Sequence, residues 1–286
     1  MDETDVRFFV LLFGFFSVAF GACVGSFLNV CIYRVPRGES VVKPRSHCPH
    51  CGAMIPWYLN IPVLSWLCLR GKCANCKGPI SFRYTLVEML TALLFLAVYV
   101  QLVAPYPLRL APINHPAVVP CYWLALAGLI VATFVDFEHF IIPDSVSIGG
   151  MVAGPILGAL VPALHGEKLW YMGLADALLG DLVGFGLLFA IAEIGTRVFK
   201  KEAMGFGDVK LMGAIGAFLG WRAVLFVLFV ASFLGSIVGI ILMIFGGVKL
   251  QSRIPFGPYL AGAAAIWIYW GPVLMGLYLS LMKSGA

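Results

Sequence analysis

The chain has 286 residues, of which 61% are hydrophobic and 12% charged, with a net charge of +5. A soluble domain carries about 25% charged residues; here apolar stretches of about 18 residues or more recur along the whole length, which excludes an ordinary soluble domain. The positive charge is therefore read as sidedness in a membrane and not as a nucleic-acid footprint.

Taken in order, the first apolar segment spans 8–33. It is too long for a cleavable signal, lacks a basic start, and runs through Cys23, Asn29 and Cys31 into a basic loop. It is read as a retained helix. Residues 34–83 break the pattern, being basic, rich in Pro and Cys, and only patchily apolar. About fifty residues rarely bury enough surface to fold without a staple.

Two cysteine knuckles supply that staple. Cys48-Pro-His-Cys51 and Cys73-Ala-Asn-Cys76 have 21 residues between them. Four soft thiolates suit tetrahedral zinc, and four leave no open position for water, so the metal is structural. A redox pair is the competing reading. His47 and His50 fall outside the ligand set. Cys23, Cys31, Cys68 and Cys121 have no partner pattern and read as buried small hydrophobes.

Seven more apolar segments follow, at 84–104, 118–136, 144–165, 171–197, 208–220, 223–246 and 256–281. The 208–220 segment is short for a span. It is either tilted or set inside the bundle. The expected fold is an all-α polytopic membrane protein with about eight transmembrane helices. A small cytoplasmic zinc-knuckle domain lies between helices 1 and 2. The expected divisions are 1–33 (first helix), 34–83 (four-cysteine zinc domain) and 84–286 (transmembrane core), with no convincing internal repeat. Placing both termini outside puts 14 of the 19 Lys and Arg residues in cytoplasmic loops, as the positive-inside rule requires.

Acidic residues at membrane depth are costly, so each demands a reason. The candidates are Glu88, Asp136, Glu138, Asp144, Asp176, Asp181, Glu193 and Asp208. Asp144, after Pro143, reads as a helix cap. Glu138 and His139 face the cytoplasm, and Asp176 and Asp181 read as interhelical hydrogen-bond partners. Glu193 and Glu88 are placed to pair with basic residues, Glu88 with Arg83. Asp136 ends a mostly apolar run, and Asp208 closes Met204-Gly205-Phe-Gly207-Asp208. Gly205 and Gly207 permit a tight, non-helical approach and let a substrate backbone come close. Both aspartates fall at the same cytoplasmic level on different helices. Facing carboxylates cannot easily both ionise, so they share a proton. One then activates water and the other polarises a carbonyl, which is the equipment of an aspartic protease. A plain helix cap at Asp208, or a transporter using buried carboxylates, remains the alternative from residues alone.

Six ordered stretches carry a resemblance. They are Gly25-Ser-Phe-Leu-Asn-Val-Cys-Ile-Tyr-Arg-Val-Pro36, the two knuckles, Ser81-Phe-Arg-Tyr-Thr-Leu-Val-Glu88, Asp136 to Asp144, Gly205-Phe-Gly-Asp-Val-Lys-Leu211 and Ile254-Pro-Phe-Gly-Pro-Tyr259. In this order they resemble the bacterial type IV prepilin peptidases over nearly the full length. Thr85 stands where that family commonly has Pro. The resemblance implies that Asp136 and Asp208 are the catalytic pair and that Cys48, Cys51, Cys73 and Cys76 hold zinc. It implies a bacterial inner-membrane enzyme with its site and zinc domain facing the cytoplasm. The implied partners are prepilins or pseudopilins of type IV pili and type II secretion, within membrane lipid and without nucleic acid. It also implies N-methylation of the new N-terminus with S-adenosylmethionine. No residue is assigned to that second activity, and no glycine-rich nucleotide fingerprint is present.

Overall fold

A computed structural model describes residues 3–103, 115–201, 204–245 and 254–284. These form α1 (Glu3–Arg34), α2 (Leu64–Cys68), α3 (Phe82–Val103), α4 (Val118–His139), α5 (Asp144–Leu160), α6 (Trp170–Phe199), α7 (Phe206–Leu219), α8 (Trp221–Phe245) and α9 (Gly257–Ser284). Among the described residues there is no β-strand, only two isolated bridges. Three of the 19 Lys and Arg residues counted for orientation, Arg109, Lys249 and Arg253, lie outside the described residues.

Among the described residues, six helices are long and apolar enough to cross a membrane: α1, α3, α4, α6, α8 and α9. The two shorter apolar helices are α5, with 17 residues, and α7, with 14. Ten residues of α7, running from Asp208 to Phe218, are buried. Of the two expectations for this short segment, the structure therefore takes the bundle interior. At the opposite extreme, α1 exposes Phe8, Leu11 and Phe15, a surface suited to lipid.

The chain divides into two compact units, Met1–Val103 and Ala104–Ala286. In the first, α1 and α3 pack along their length through small residues. A Cβ on Gly25 would meet the Glu88 Cα at 2.7 Å, and one on Gly21 would meet the Ala92 Cα at 2.8 Å, so the two backbones run close together. Cross-bonds fix the register: Tyr99 donates to the Val10 carbonyl at 3.0 Å, and Asn29 to the Tyr84 carbonyl at 2.9 Å. The buried Arg34 closes the start of the cysteine segment by donating to the Ser40 and Pro44 carbonyls.

In the second unit α7 is the centre. A Cβ on Gly180 of α6 would stand 2.1 Å from the Gly216 carbonyl oxygen, and one on Gly184 would stand 2.4 Å from that of Met212. On the other flank, Gly150 and Gly154 of α5 face Ala214 and Ala217. Small residues on the facing helices thus let α5 and α6 close on two flanks of α7.

The helix ends in this unit do not lie at one level. Phe206, at the start of α7, packs edge-on against Phe185 and Phe189 of α6, at 6.0 and 6.5 Å. Yet α6 continues to Phe199, about ten residues or roughly 15 Å further at 1.5 Å per residue. Gly235 of α8 lies beside Phe256 and Tyr259 at the start of α9, and α8 continues a similar length to Phe245. The ends of α6 and α8 therefore project past a floor formed by the ends of α4, α5, α7 and α9.

Candidate active site

Asp136 and Asp208 both sit on that floor. Asp136 occupies the last turn of α4 and is 5% exposed. The helix stops there because Phe140 turns left-handed (φ 55°), its N–H closing on the Asp136 carbonyl at 3.0 Å. The Asp136 side chain faces inward, where Oδ2 accepts the Gly257 N–H at 3.0 Å. Gly257 is the first residue of α9. Only a hydrogen fits at that position, because a Cβ would meet Asp136 Oδ2 at 2.8 Å and Ile142 Cδ1 at 3.1 Å.

Asp208 is the third residue of α7 and is 9% exposed. Gly205, in extended backbone, precedes the helix, and the Asp208 N–H reaches its carbonyl at 3.1 Å. The Asp208 carboxylate also accepts the N–H of Gly205, the N-cap residue, so it caps α7 as the simpler reading expected. Its Oδ1 is buried and bonded to no group among the described residues. The positive end of the α7 dipole favours a carboxylate there. Asp208 also lies within electrostatic reach of Asp136.

Ile142, in the turn between α4 and α5, links the two sides. A Cβ on Gly207 would meet Ile142 Cβ at 3.1 Å, and one on Gly257 would meet its Cδ1. Gly205 stays open toward Asp208, with Oδ2 at 3.3 Å from a notional Cβ. Three glycines and one isoleucine therefore shape the space around the two carboxylates. Gly257 was legible only as part of a motif, with no role attached. Ile142 carried no sequence signal beyond its place in the loop after Asp136.

The other acids divide differently from the sequence reading. Asp144 is the first helical residue of α5, with Pro143 at the cap position, and pairs with Lys210 of α7, a partner 66 residues away. The Lys210 ammonium also lies 5.3 Å from the Phe206 ring. Glu88 accepts the Val63 N–H at 2.7 Å, which ties α3 to the cysteine segment and replaces the expected pairing with Arg83. Glu193 pairs with Arg197 one turn on, at 2.8 Å, as expected of a Glu beside a basic residue. Asp181 Oδ1 is buried beside Gly213 of α7 without a hydrogen bond among the described residues.

The four knuckle cysteines converge. Their sulfurs all lie within 4.8 Å of one another, with Cys48 and Cys76 at 3.8 Å. Tetrahedral coordination with Zn–S bonds of about 2.3 Å places sulfurs about 3.8 Å apart, so the set fits such an ion. The knuckles repeat one hydrogen-bond pattern. Cys48 N–H goes to the Ala53 carbonyl and Gly52 N–H to that of Cys48, just as Cys73 goes to Gly78 and Lys77 to Cys73. The matching turn residues, Gly52 and Lys77, are both left-handed, at φ 69° and 59°. This small repeat was not visible in the sequence.

The knuckle backbone prepares thiolates. N–H groups of Cys76 and Asn75 hold the Cys73 thiol down to about 6. The Ala53 N–H, with the Asn75 side chain, lowers Cys51. Cys76 receives the Gly78 N–H, yet burial and its three sulfur neighbours push it up to about 11. Four thiolates this close repel unless a cation neutralises them. Of the remaining cysteines only Cys121 is buried; Cys31 is half-buried, while Cys23 and Cys68 are exposed, which corrects the reading of all four as buried.

Two buried carboxylates within electrostatic reach in a helical bundle are the groups that aspartic proteolysis requires. The family comparisons agree. The bacterial peptidase A24 N-terminal domain matches residues 19–102, and the type IV leader peptidase family matches residues 123–240. The "Prepilin leader peptidase/N-methyltransferase" of Myxococcus xanthus is 45% identical over 84% of this chain and 66% of its own, just under two thirds of that protein's length. Proteins of the same description from Aeromonas hydrophila and Stutzerimonas stutzeri are 36% and 31% identical, over 94% and 96% of their lengths. No solved structure matches. The chain belongs to the type IV leader peptidase family.

Proposed function

We propose that Asp136 and Asp208 are the catalytic pair of an endopeptidase that removes the basic leader of type IV prepilins or pseudopilins after a Gly. The observation that carries this reading is the placement of two buried carboxylates within electrostatic reach, one held by the Gly257 N–H and the other with an unbonded buried oxygen. Such a pair shares one proton. The ionised carboxylate draws a proton from water, which attacks the scissile carbonyl; the protonated partner donates to the carbonyl oxygen. Gly205, with only Asp208 Oδ2 near its missing side chain, is where an extended substrate backbone passes; the space at Gly207 is taken by Ile142.

The site and the cysteine segment face the cytoplasm in this reading, with both termini outside, in a bacterial inner membrane. The charge asymmetry of the loops supports that orientation. Residues 34–83 form a zinc domain in which Cys48, Cys51, Cys73 and Cys76 hold the ion structurally, separate from the transmembrane peptidase core of 84–286. The enzyme then N-methylates the new N-terminal residue from S-adenosylmethionine, the second activity in the names of its relatives.

The test is product mapping. The full chain, reconstituted in liposomes with a prepilin and a labelled methyl donor, releases a leader ending in Gly and leaves a labelled mature N-terminus. An intact prepilin after prolonged incubation overturns the peptidase reading. Cleavage without label overturns the methylation alone.

A further inference from the structure

A cavity of about 330 Å³ opens at the start of α9, against α8. Met204, Phe256 and Tyr259 line one side of it, and Ser232, Gly235 and Ser236 of α8 line the other. We propose that this cavity is the subsite for the first apolar side chains after the scissile bond, and that it selects which substrates are cut. The proposal rests on Asp136 and Asp208 being the protease pair.

Position is the first argument. Met204 directly precedes Gly205, which stands against Asp208 Oδ2; Phe256 directly precedes Gly257, which holds Asp136 Oδ2. The cavity walls are thus the chain neighbours of the residues touching each carboxylate. A substrate backbone crossing the pair places the next side chain within reach of this space.

Chemistry is the second. No charged residue lines the cavity, so the basic leader has nothing to pair with there. The Ser236 hydroxyl is already spent on the Ser232 carbonyl, at 2.7 Å, and does not call for a polar guest. The Phe256 and Tyr259 rings meet at a tilt of 47° with centres 6.4 Å apart, and both lie beside Gly235 of α8. The volume is roughly twice the about 150 Å³ that accommodates a benzene ring, enough for two large side chains.

Access is the third. The cavity lies below the part of α8 that projects past the aspartates. That projection is apolar outward, with Ile240, Ile244 and Phe245 exposed. An apolar helix moving in from lipid along α8 meets the cavity before it meets the carboxylates. Gly235 presents no side chain, and its notional Cβ has ordinary clearance, 3.6 Å from Tyr259 and 3.8 Å from Phe256. Larger side chains at this position fill the space without first breaking the α8–α9 contact.

The test uses the full reconstituted chain with Gly235→Val and Gly235→Leu, and two prepilins carrying Phe or Ala directly after the cut. The subsite predicts a graded rise in KM for the Phe substrate, reaching tenfold or more at Leu, on the scale of about 10–200-fold for apolar pocket contacts. The kcat and the Ala substrate change by about threefold or less, since uniform binding is what is lost. A second readout does not depend on turnover. In Asp208→Asn protein, Ser236→Cys should form a disulfide under copper–phenanthroline with a prepilin bearing one Cys after the cut. Phe229→Cys, on an exposed face of α8, should not.

Equal KM changes for both substrates, or equal cross-linking at 236 and 229, overturn the subsite. Wild-type cleavage of both prepilins alongside either result leaves the protease reading standing. If the wild type cleaves neither, both readings fall.

Discussion

The Gly257 amide donates to Asp136 Oδ2 at 3.0 Å, joining two residues 121 apart in the chain. That bond fixes the carboxylate at the end of α4 against the first turn of α9, and the fit leaves no room for a methyl group. Gly257→Ala should displace Asp136 while leaving the cysteine segment untouched. A misplacement of about 1 Å at a reacting group costs roughly 10²-fold in rate. Leader release by this variant should fall on that scale, with metal content unchanged. A rate within about twofold of wild type would show that this contact does not position the carboxylate.

Val63 offers a prediction of the opposite sign. Its backbone lies at φ 63°, ψ −53°, and the next N–H reaches back to the Pro62 carbonyl. This is the strained form of the γ-turn, adopted here by a β-branched residue for which positive φ is a true outlier. Glu88 holds it through the Val63 N–H. Relief of strain worth about 1–3 kcal/mol exceeds glycine's extra backbone entropy of about 0.5–1 kcal/mol. Val63→Gly should therefore slow limited proteolysis within residues 34–83, and Glu88→Ala should speed it. Faster cleavage in Val63→Gly would contradict the strain assignment.

The knuckles differ in acidity, and alkylation reads the difference. The thiolate is the nucleophile. With the metal stripped by chelator, Cys73 titrates near about 6 and is mostly thiolate at neutral pH, whereas Cys76, near about 11, stays a thiol. Iodoacetamide at pH 7 should label Cys73 first, and lowering the pH below about 6 should remove that advantage. Mass spectrometry of the digested protein gives the order. Equal labelling of Cys73 and Cys76 would contradict the role given to the Cys76 and Asn75 N–H groups. Before stripping, both should resist the reagent, because bound thiolates are shielded.

Much of the fold was legible because a membrane demands long apolar runs, and such runs announce their own ends. The segment expected at 118–136 is α4 at Val118–His139, and 223–246 is α8 at Trp221–Phe245. The five-residue α2 was not legible, because Leu64–Cys68 sits inside a patchy loop with no periodicity to read. Asp208 stood out through its glycine context and Asp136 as the end of an apolar run, and the family resemblance joined the two. The surroundings of the pair were not legible, because Gly257 and Ile142 act through distances set by tertiary packing. Asp144 looked like a cap because Pro143 precedes it; its partner Lys210 lies on another helix. The similarity of the knuckles was hidden for a different reason: Gly52 and Lys77 share a backbone conformation but no side-chain chemistry. The projection of α6 and α8 beyond the aspartates follows from which residues meet across helices, and no single segment encodes it.

The most direct measurement is the rate of leader release by Asp136→Asn and Asp208→Asn, each alone, in reconstituted protein that retains its metal and its thermal midpoint. Both substitutions keep the size of the side chain and remove the shared proton. Loss of a residue that acts as part of a catalytic unit costs on the order of 10⁴-fold or more. The account predicts at least a 10³-fold fall for each variant and no further fall for the double variant. Either single variant cleaving at the wild-type rate would contradict it.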